Sequence, residues 1–317
     1  MTRCKDGGRD LKKGDRHLLH ERQQKFGFMK QHKLKYPVEM MSKTLDVSKS
    51  GYYNWLKSGP SDRWLENRKI IELIEDIFEE SHQSYGSPRM ALELEKRGYK
   101  VSRPRAARMM KALGVEARRT RKFKNTTDSN HNYPVSPNLL NQNFSVKRRN
   151  QVWVSDITYI ETTNGWVYLT VIIDLFDRKA IGWSLSEDMT AENTIIKAWY
   201  AAVENRPING KLIFHSDRGS QYASTTFRNI LKSYKKHVKQ SMSRKGNCWD
   251  NAVAESFFKS LKTEWVYKNH YDVYSDAEIS IFKWIETWYN RNRRHSALNY
   301  KTINELELEI NNQNLAA

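Results

Sequence analysis

The sequence predicts an all-α region followed by an α/β domain. Three observations carry this reading. Apolar residues recur at helical spacing from Pro37 to about residue 115, and from Gln151 onward the apolar period falls to two. Between them, residues 116–146 are rich in Asn, Ser, Thr and basic side chains and carry two prolines, the composition of a linker.

The predicted organisation follows the chain. Residues 1–36 form a basic, flexible arm. Residues 37–60 form a helix-turn-helix segment. In PVEMMSKTLDVSKSGYYNWLKSG, Met40, Met41, Leu45 and Val47 face inward. Ser48 caps a second helix carrying Tyr52, Tyr53 and Trp55, and Gly59-Pro60 ends it. Residues 61–115 form a second helical, helix-turn-helix-like domain. It opens with a helix from Asp62 to Ser81 that carries an Ile70, Ile71, Leu73, Ile74, Ile77 stripe. Its last helix carries Arg103, Arg105, Arg108 and Lys111. After the basic linker 116–146 comes a catalytic core, 147–305, and a tail, 306–317.

Within the core, VWVSDITYI, GWVYLTVIID and KAIGWSLS read as three strands, with Asn164-Gly165 marking a hairpin between the first two. A helix from Ala191 to Val203, a buried strand in KLIFHSD, a helix from Gln221 to Tyr234 and a short strand in HVKQSMS follow. A helix from Asn251 to Tyr267 and another from Asp276 to Asn290 complete it. Three antiparallel strands, a crossover helix and further alternating strands and helices give the order of an RNase H-like sheet.

Composition narrows the function. The 317 residues hold 54 Lys+Arg against 36 Asp+Glu, a net charge of +18. Residues 1–35 carry +7 and residues 101–150 carry +10, while residues 151–317 carry only +2. Basic segments on a nearly neutral body suit a protein that grips phosphates outside its core. No apolar run is long enough to span a membrane, and the first 15 residues lack a signal-peptide core, so a cytoplasmic, nucleoid-associated protein is expected. Cys4 and Cys248 are too distant in sequence to suggest a disulfide framework or a Cys-based zinc site, and His17 and His20 read as solvated.

Three carboxylates stand out. Asp156 lies mid-strand, where Asp is unfavourable. Asp217 follows the apolar strand LIFHS, at the strand end where α/β sheets place ligand-binding groups. Glu255 lies on a helix, with Lys259 and Lys262 at i+4 and i+7 on the same face. Phosphodiester chemistry needs an in-line nucleophile and a stabilised leaving oxygen. Two divalent cations held by carboxylates supply both, and oxygen-only ligands suit Mg²⁺ or Mn²⁺. Asp174, at a strand end, is a weaker candidate for a metal or supporting role. Asp177 reads as a turn residue and Asp250 as the N-cap of the Glu255 helix.

HSDRGSQY, SMSRKGNCWDNAVAESFFKSLKTE and WYNRNRRHSALNY closely resemble the integrase-type core of the insertion-sequence-three family of bacterial transposases. LDVSKSGYYNWL and YGSPRM…GYKVSRPRAARMMKALG resemble that family's helix-turn-helix regions, and the likeness runs from about Phe28 to Glu305. It departs in two places. The Asp217–Glu255 spacing is two residues longer, and Lys301-Thr302-Ile303 stands where Ser-Pro is usual. The resemblance implies a retroviral-integrase-type fold, an acidic triad of Asp156, Asp217 and Glu255, nicking of element ends and strand transfer by the freed 3′-hydroxyl. It also implies double-stranded DNA as partner, a homo-oligomer on DNA, and an upstream-frame product joined by fusion or association. DNA contacts are expected from Arg103, Arg105, Arg108, Arg118, Arg119, Arg121, Lys122 and Lys124. Further contacts are expected from Arg244, Lys245, Trp249, Lys259, Lys262, Arg293, Arg294 and His295. The competing reading is a non-catalytic regulator that binds DNA through the same helices.

Overall fold

The computed structural model describes residues 22–58, 61–117 and 133–315. The chain divides into two units, one ending at Ala117 and one beginning at Arg118.

In the first unit, α1 (Arg22–His32), α2 (Val38–Leu45) and α3 (Lys49–Ser58) bury Phe26, Met29, Met41, Leu45 and Tyr52 together. Asp46 ends α2 in the left-handed region (φ 53°), turning the chain within three residues. The Ser48 hydroxyl then accepts the Gly51 N–H at 3.0 Å, the predicted cap. Residues 22–36 are therefore not part of an arm. Phe26 and Met29 on α1 are too sparse to mark a helix by periodicity, yet they fill the back of the α2–α3 hairpin.

α4 (Asp62–Glu80), α5 (Ser87–Lys96) and α6 (Arg103–Ala112) follow. Ser61 caps α4 and Ser102 caps α6. Ile70, Ile74 and Ile77 are buried, as are Met90, Leu94, Ala106 and Met110, so the interior stripe of α4 is narrower than predicted.

The second unit holds β1 (Val152–Thr162), β2 (Gly165–Asp174), β3 (Ala180–Ser186), β4 (Leu212–Ser216) and β5 (Val238–Met242). Their order is β3-β2-β1-β4-β5. β2 runs antiparallel to both neighbours, and β1, β4 and β5 are parallel. A two-residue turn joins β1 to β2, with Gly165 at φ +128° opposite Thr162, a conformation other residues rarely adopt.

One face of the sheet carries α7 (Lys197–Asn205), entered through a π-wound turn, Glu192–Ile196. Trp199 sits at its centre among Trp153, Phe214, Phe227 and Tyr234, all in edge-on ring contacts with it. The fit is close: a Cβ on Gly182 of β3 would lie 2.3 Å from the Ala198 carbonyl oxygen. Between β4 and β5 run α8 (Ser220–Ala223) and α9 (Thr225–Ser233), where one helix was predicted. The break falls at Ser224, whose hydroxyl caps α9. α10 (Ala252–Glu264) packs on β1, and α11 (Tyr274–Phe282) continues into a π-wound stretch, Lys283–Tyr289.

Two predicted boundaries move. Residues 136–142, assigned to the linker, are bonded along the outer edge of β5. Ser136 donates to Gln240 at 3.1 Å, and the Leu139 N–H donates to Ser241 at 2.8 Å. Leu140 is buried. At the other end, residues 306–315 of the assigned tail belong to α12 (Ile303–Leu315), where Ile303 is buried and Glu307 ion-pairs with Arg149 and Lys179. Both segments are held by polar bonds to distant residues, which hydrophobic spacing does not reveal.

Candidate active site

The parallel β1–β4 register ends with Val154 opposite His215 and Ser155 opposite Ser216. One residue beyond that last pair stand Asp156, within β1, and Asp217, just past the end of β4, and the Asp217 charge acts on Asp156. Asp217 then leaves the strand in a tight turn, its Oδ1 accepting the Gly219 N–H at 2.9 Å. Arg218 donates to the Ser243 carbonyl at 2.6 Å and fastens the same loop to the end of β5.

Glu255 arrives from α10. Just before that helix, Asn251 Nδ2 donates to the Ser155 carbonyl at 3.0 Å, tying the helix start to β1 beside Asp156. One turn later stands Glu255, half-buried.

The electrostatics agree with this convergence. The Asp156 carboxyl is pushed well above the usual carboxylate range, first by burial and then by Asp217, with Glu255 adding to it. Its one backbone bond, from the Ile157 N–H at 2.9 Å, opposes the shift. Glu255 is raised by burial and by Asp217. Burial lowers Lys262, half-buried on α10, and Asp156 raises it, so this cation reaches the site. Among the described residues, no three His, Cys, Asp or Glu side chains are grouped so that they could hold a metal ion.

Asp174 does not join the site. It pairs with Trp153, three residues before Asp156 on β1, which puts it on the opposite face and about 10 Å along the strand. There Asp174 and Asp177 are fully buried and share the Arg206 guanidinium, at 2.8 Å to Asp174 and 2.8 and 3.1 Å to Asp177. Asp177 does close the predicted turn, accepting the Lys179 N–H.

Asp250 is not the cap of α10. Asn251 takes that position, and Asp250 is buried, accepting from Arg244, Asn138 and Gln142. The Arg244 guanidinium holds its carboxyl well below the usual range.

The chain is similar to known proteins over most of its length. Integrase core domain models match residues 146–248 and 236–302, and an HTH-like domain model matches residues 64–123. The Insertion element IS600 uncharacterized 31 kDa protein of Shigella sonnei is 43% identical over 258 residues, 81% of this chain and 94% of its own. The Transposase InsF for insertion sequence IS3A of Escherichia coli (strain K12) is 38% identical over 274 residues, 86% of this chain and 94% of its own. The chain belongs to the IS3 family of insertion-sequence transposases. Its catalytic unit is an integrase core with an RNase H-like sheet, preceded by a helical, HTH-like region. Among solved structures, the HTLV-2 integrase catalytic core domain in complex with magnesium aligns with 49% of this chain and 94% of its own, at 20% identity and a TM-score of 0.35. No helix among the transposase's described residues is long and apolar enough to cross a membrane.

The structure sorts the residues expected to touch DNA. Arg103, Arg108, Lys245 and Lys259 of the transposase are exposed, and Trp249 is 71% exposed in the turn before α10. Five others are engaged with partners in the protein itself. Arg105 donates to Glu66 and Asn67, each at 2.7 Å. Arg244 holds Asp250. Arg293 is buried in a fork-shaped pair with Glu264, and Arg294 donates to the Tyr300 carbonyl at 2.9 Å. His295 is buried edge-on against Tyr289, its Nε2 3.2 Å from that residue's carbonyl oxygen. Arg118, Arg119, Arg121, Lys122 and Lys124 lie outside the described residues.

Sequence reading also passed over His215. It is fully buried, with Nδ1 2.8 Å from Ser241 Oγ and Nε2 3.3 Å from Ser243 Oγ. Burial lowers its pKa to about 4, against a weaker upward pull from Asp250. A depressed folded-state value means that the stabilisation is complete above pH 6.5 and is lost as pH falls toward 4. The full loss is about 3 kcal/mol at most. Denaturant midpoints measured from pH 7.5 to 4.5 should fall for the wild type. In His215→Gln this part of the slope should be absent; an identical slope in both would show that His215 does not titrate on unfolding.

Proposed function

We propose that this transposase cuts phosphodiester bonds at the ends of its element and joins the freed 3′-hydroxyl to target DNA. Asp156, Asp217 and Glu255 hold two Mg²⁺ or Mn²⁺ ions. The observation that supports this reading is that Asp156 within β1, Asp217 just past β4 and Glu255 on the tethered α10 act on one another electrostatically. The donors are all oxygen, as these ions prefer, and their mutual repulsion is the electrostatic condition that a cation relieves. Bound there, the ions would stabilise the attacking and leaving oxygens.

The protein supplies placement. Asp156 is fixed in a central strand, Asp217 in a turn closed on its own carboxylate, and Glu255 in the first turn of a packed helix. Lys262 brings positive charge beside Asp156 for the substrate phosphate. Trp249 offers a ring to an unpaired terminal base, a stack worth about 1–3 kcal/mol. Arg103, Arg108, Lys245 and Lys259, with the Arg118–Lys124 cluster, contact phosphates. α3 presents Ser50, Tyr53, Asn54 and Lys57 on one exposed face, opposite buried Tyr52, which suits base-edge contacts in a major groove. Pairing two element ends requires a multimer, and the upstream-frame product joins as fusion or partner to complete end recognition.

The testing experiment joins a labelled element end to a plasmid. Joining should need Mg²⁺ or Mn²⁺ and stop in EDTA; joining that persists in EDTA would overturn the reading. In the same system, Arg103→Ala with Arg108→Ala should flatten the slope of log affinity against log salt by about 2, near 0.9 per phosphate. An unchanged slope would remove α6 from the interface.

A further inference from the structure

A second set of three residues ties β1 to the segment that follows Asp217 and to the segment that precedes Glu255. Ser155 precedes Asp156 on β1. Tyr222, in α8, follows Asp217 by five residues. Asn251 precedes Glu255 by four, one helical turn. The Tyr222 hydroxyl lies 2.9 Å from Ser155 Oγ, and Asn251 Nδ2 donates to the Ser155 carbonyl at 3.0 Å. All three side chains are buried. Gln240 Nε2 donates to the Tyr222 carbonyl at 2.8 Å, which fastens α8 to β5.

The carboxylates need such a frame. Three like charges in a partly buried site push one another apart, and a metal site works only if its ligands are held to about 0.5 Å. Backbone ladder bonds fix Asp156. Asp217, however, stands one residue past the end of its strand, and Glu255 rides on a helix. Asn251 and Tyr222 supply side-chain bonds from those two elements to one residue of β1. The Asn251 amide is spent on this one bond, because its buried Oδ1 accepts no hydrogen bond.

We propose that Tyr222, Ser155 and Asn251 are positioning residues that hold the segments bearing the three carboxylates in place for metal binding, an inference that rests on reading those carboxylates as ligands. Ser155 is the hub. Its hydroxyl restrains the element after Asp217, and its carbonyl restrains the element before Glu255. The bonds are built from neutral groups, so they constrain the site without adding a competing charge.

The test uses Tyr222→Phe, Ser155→Ala and Asn251→Asp in the full chain. Each keeps side-chain shape or nearly so; the last replaces a donor with an acceptor facing a carbonyl. Mn²⁺ binding is followed by the electron paramagnetic resonance of the free ion, thermal stability is measured in EDTA, and transposition frequency is measured in the intact element. Mn²⁺ affinity should fall about tenfold or more in each, the range for residues that orient metal ligands, and transposition should fall with it. Tyr222→Phe and Ser155→Ala share a bond, so combining them should cost little more than either alone. A purely structural role would instead lower the melting temperature and leave Mn²⁺ affinity unchanged, and that result overturns the proposal. So does Mn²⁺ affinity within twofold of wild type in both Tyr222→Phe and Ser155→Ala, whether or not Asn251→Asp folds. Asp156→Asn separates the two levels of the argument. If it binds Mn²⁺ normally, the ligand assignment itself fails; if it loses Mn²⁺ while the positioning variants keep it, only the positioning role fails.

Discussion

Asp156→Asn is expected to abolish transposition and, without metal, to make the folded chain more stable. The two effects share one cause. Asp156 is held in a buried site beside Asp217 and Glu255, so its ionised form is disfavoured in the folded state. A folded-state pKa raised above the unfolded value gives stability that is fully present below the unfolded value, near 3.9. That stability is lost as pH rises through the folded value. At pH 7.5 in EDTA the wild type therefore carries a penalty that the asparagine variant lacks. The variant should melt higher there, and its advantage should shrink as pH approaches 4. Cleavage and joining should fall at least about a thousandfold in Asp156→Asn, Asp217→Asn and Glu255→Gln, because each removes both a ligand and a charge. DNA affinity should change little, since the proposed phosphate contacts lie on other side chains. Near-normal strand transfer in any of the three would remove that residue from the site.

The second large effect lies on the opposite face of the sheet. Arg206→Met should destabilise the chain by about 3–5 kcal/mol, the range for breaking a buried ion pair from one side. Arg206 is buried between two fully buried carboxylates. Burial and Asp177 raise Asp174 despite this partner, while Arg206 is itself raised by both carboxylates, so the arginine is the element that makes the cluster tolerable. Without it, Asp174 keeps two backbone N–H bonds, from Asn150 and Phe176, and Asp177 keeps Arg149. Neither arrangement neutralises both charges. The denaturant midpoint should fall sharply at neutral pH and partly recover in acid, where Asp174, whose carboxyl burial already raises, can protonate. A change below 1 kcal/mol would show that the cluster does not carry this part of the fold.

The features that sequence reading singled out and those it passed over differ in physical kind. Asp156 stood out because a carboxylate in the middle of an apolar strand violates local preference. Asp217 stood out because it follows an apolar strand, and Glu255 because it shares a helix face with two lysines. Strand order followed from period and turn residues. The misses are cases where local sequence is silent about distant partners. Arg293 looked like a phosphate ligand in a basic run, but Glu264 waits 29 residues away to pair with it. Arg244 and Asp250 looked like a free cation and a cap, and they are one loop-closing pair. α1 escaped because its apolar residues complement a hairpin that only the tertiary structure assembles. Residues 136–142 escaped because polar bonds to β5 and Asp250 hold them.

If β1, the loop after β4 and the start of α10 meet at one metal site, localised cleavage of the protein's own backbone will report it directly. Fe²⁺ is bound in place of Mg²⁺, ascorbate and peroxide are added, and the fragments are mapped by mass spectrometry. Cuts are expected near residues 156, 217 and 255 together, all suppressed by excess Mg²⁺ and all lost in Asp156→Asn. Cuts at only one of these segments, or a cluster elsewhere that Mg²⁺ suppresses, would contradict it.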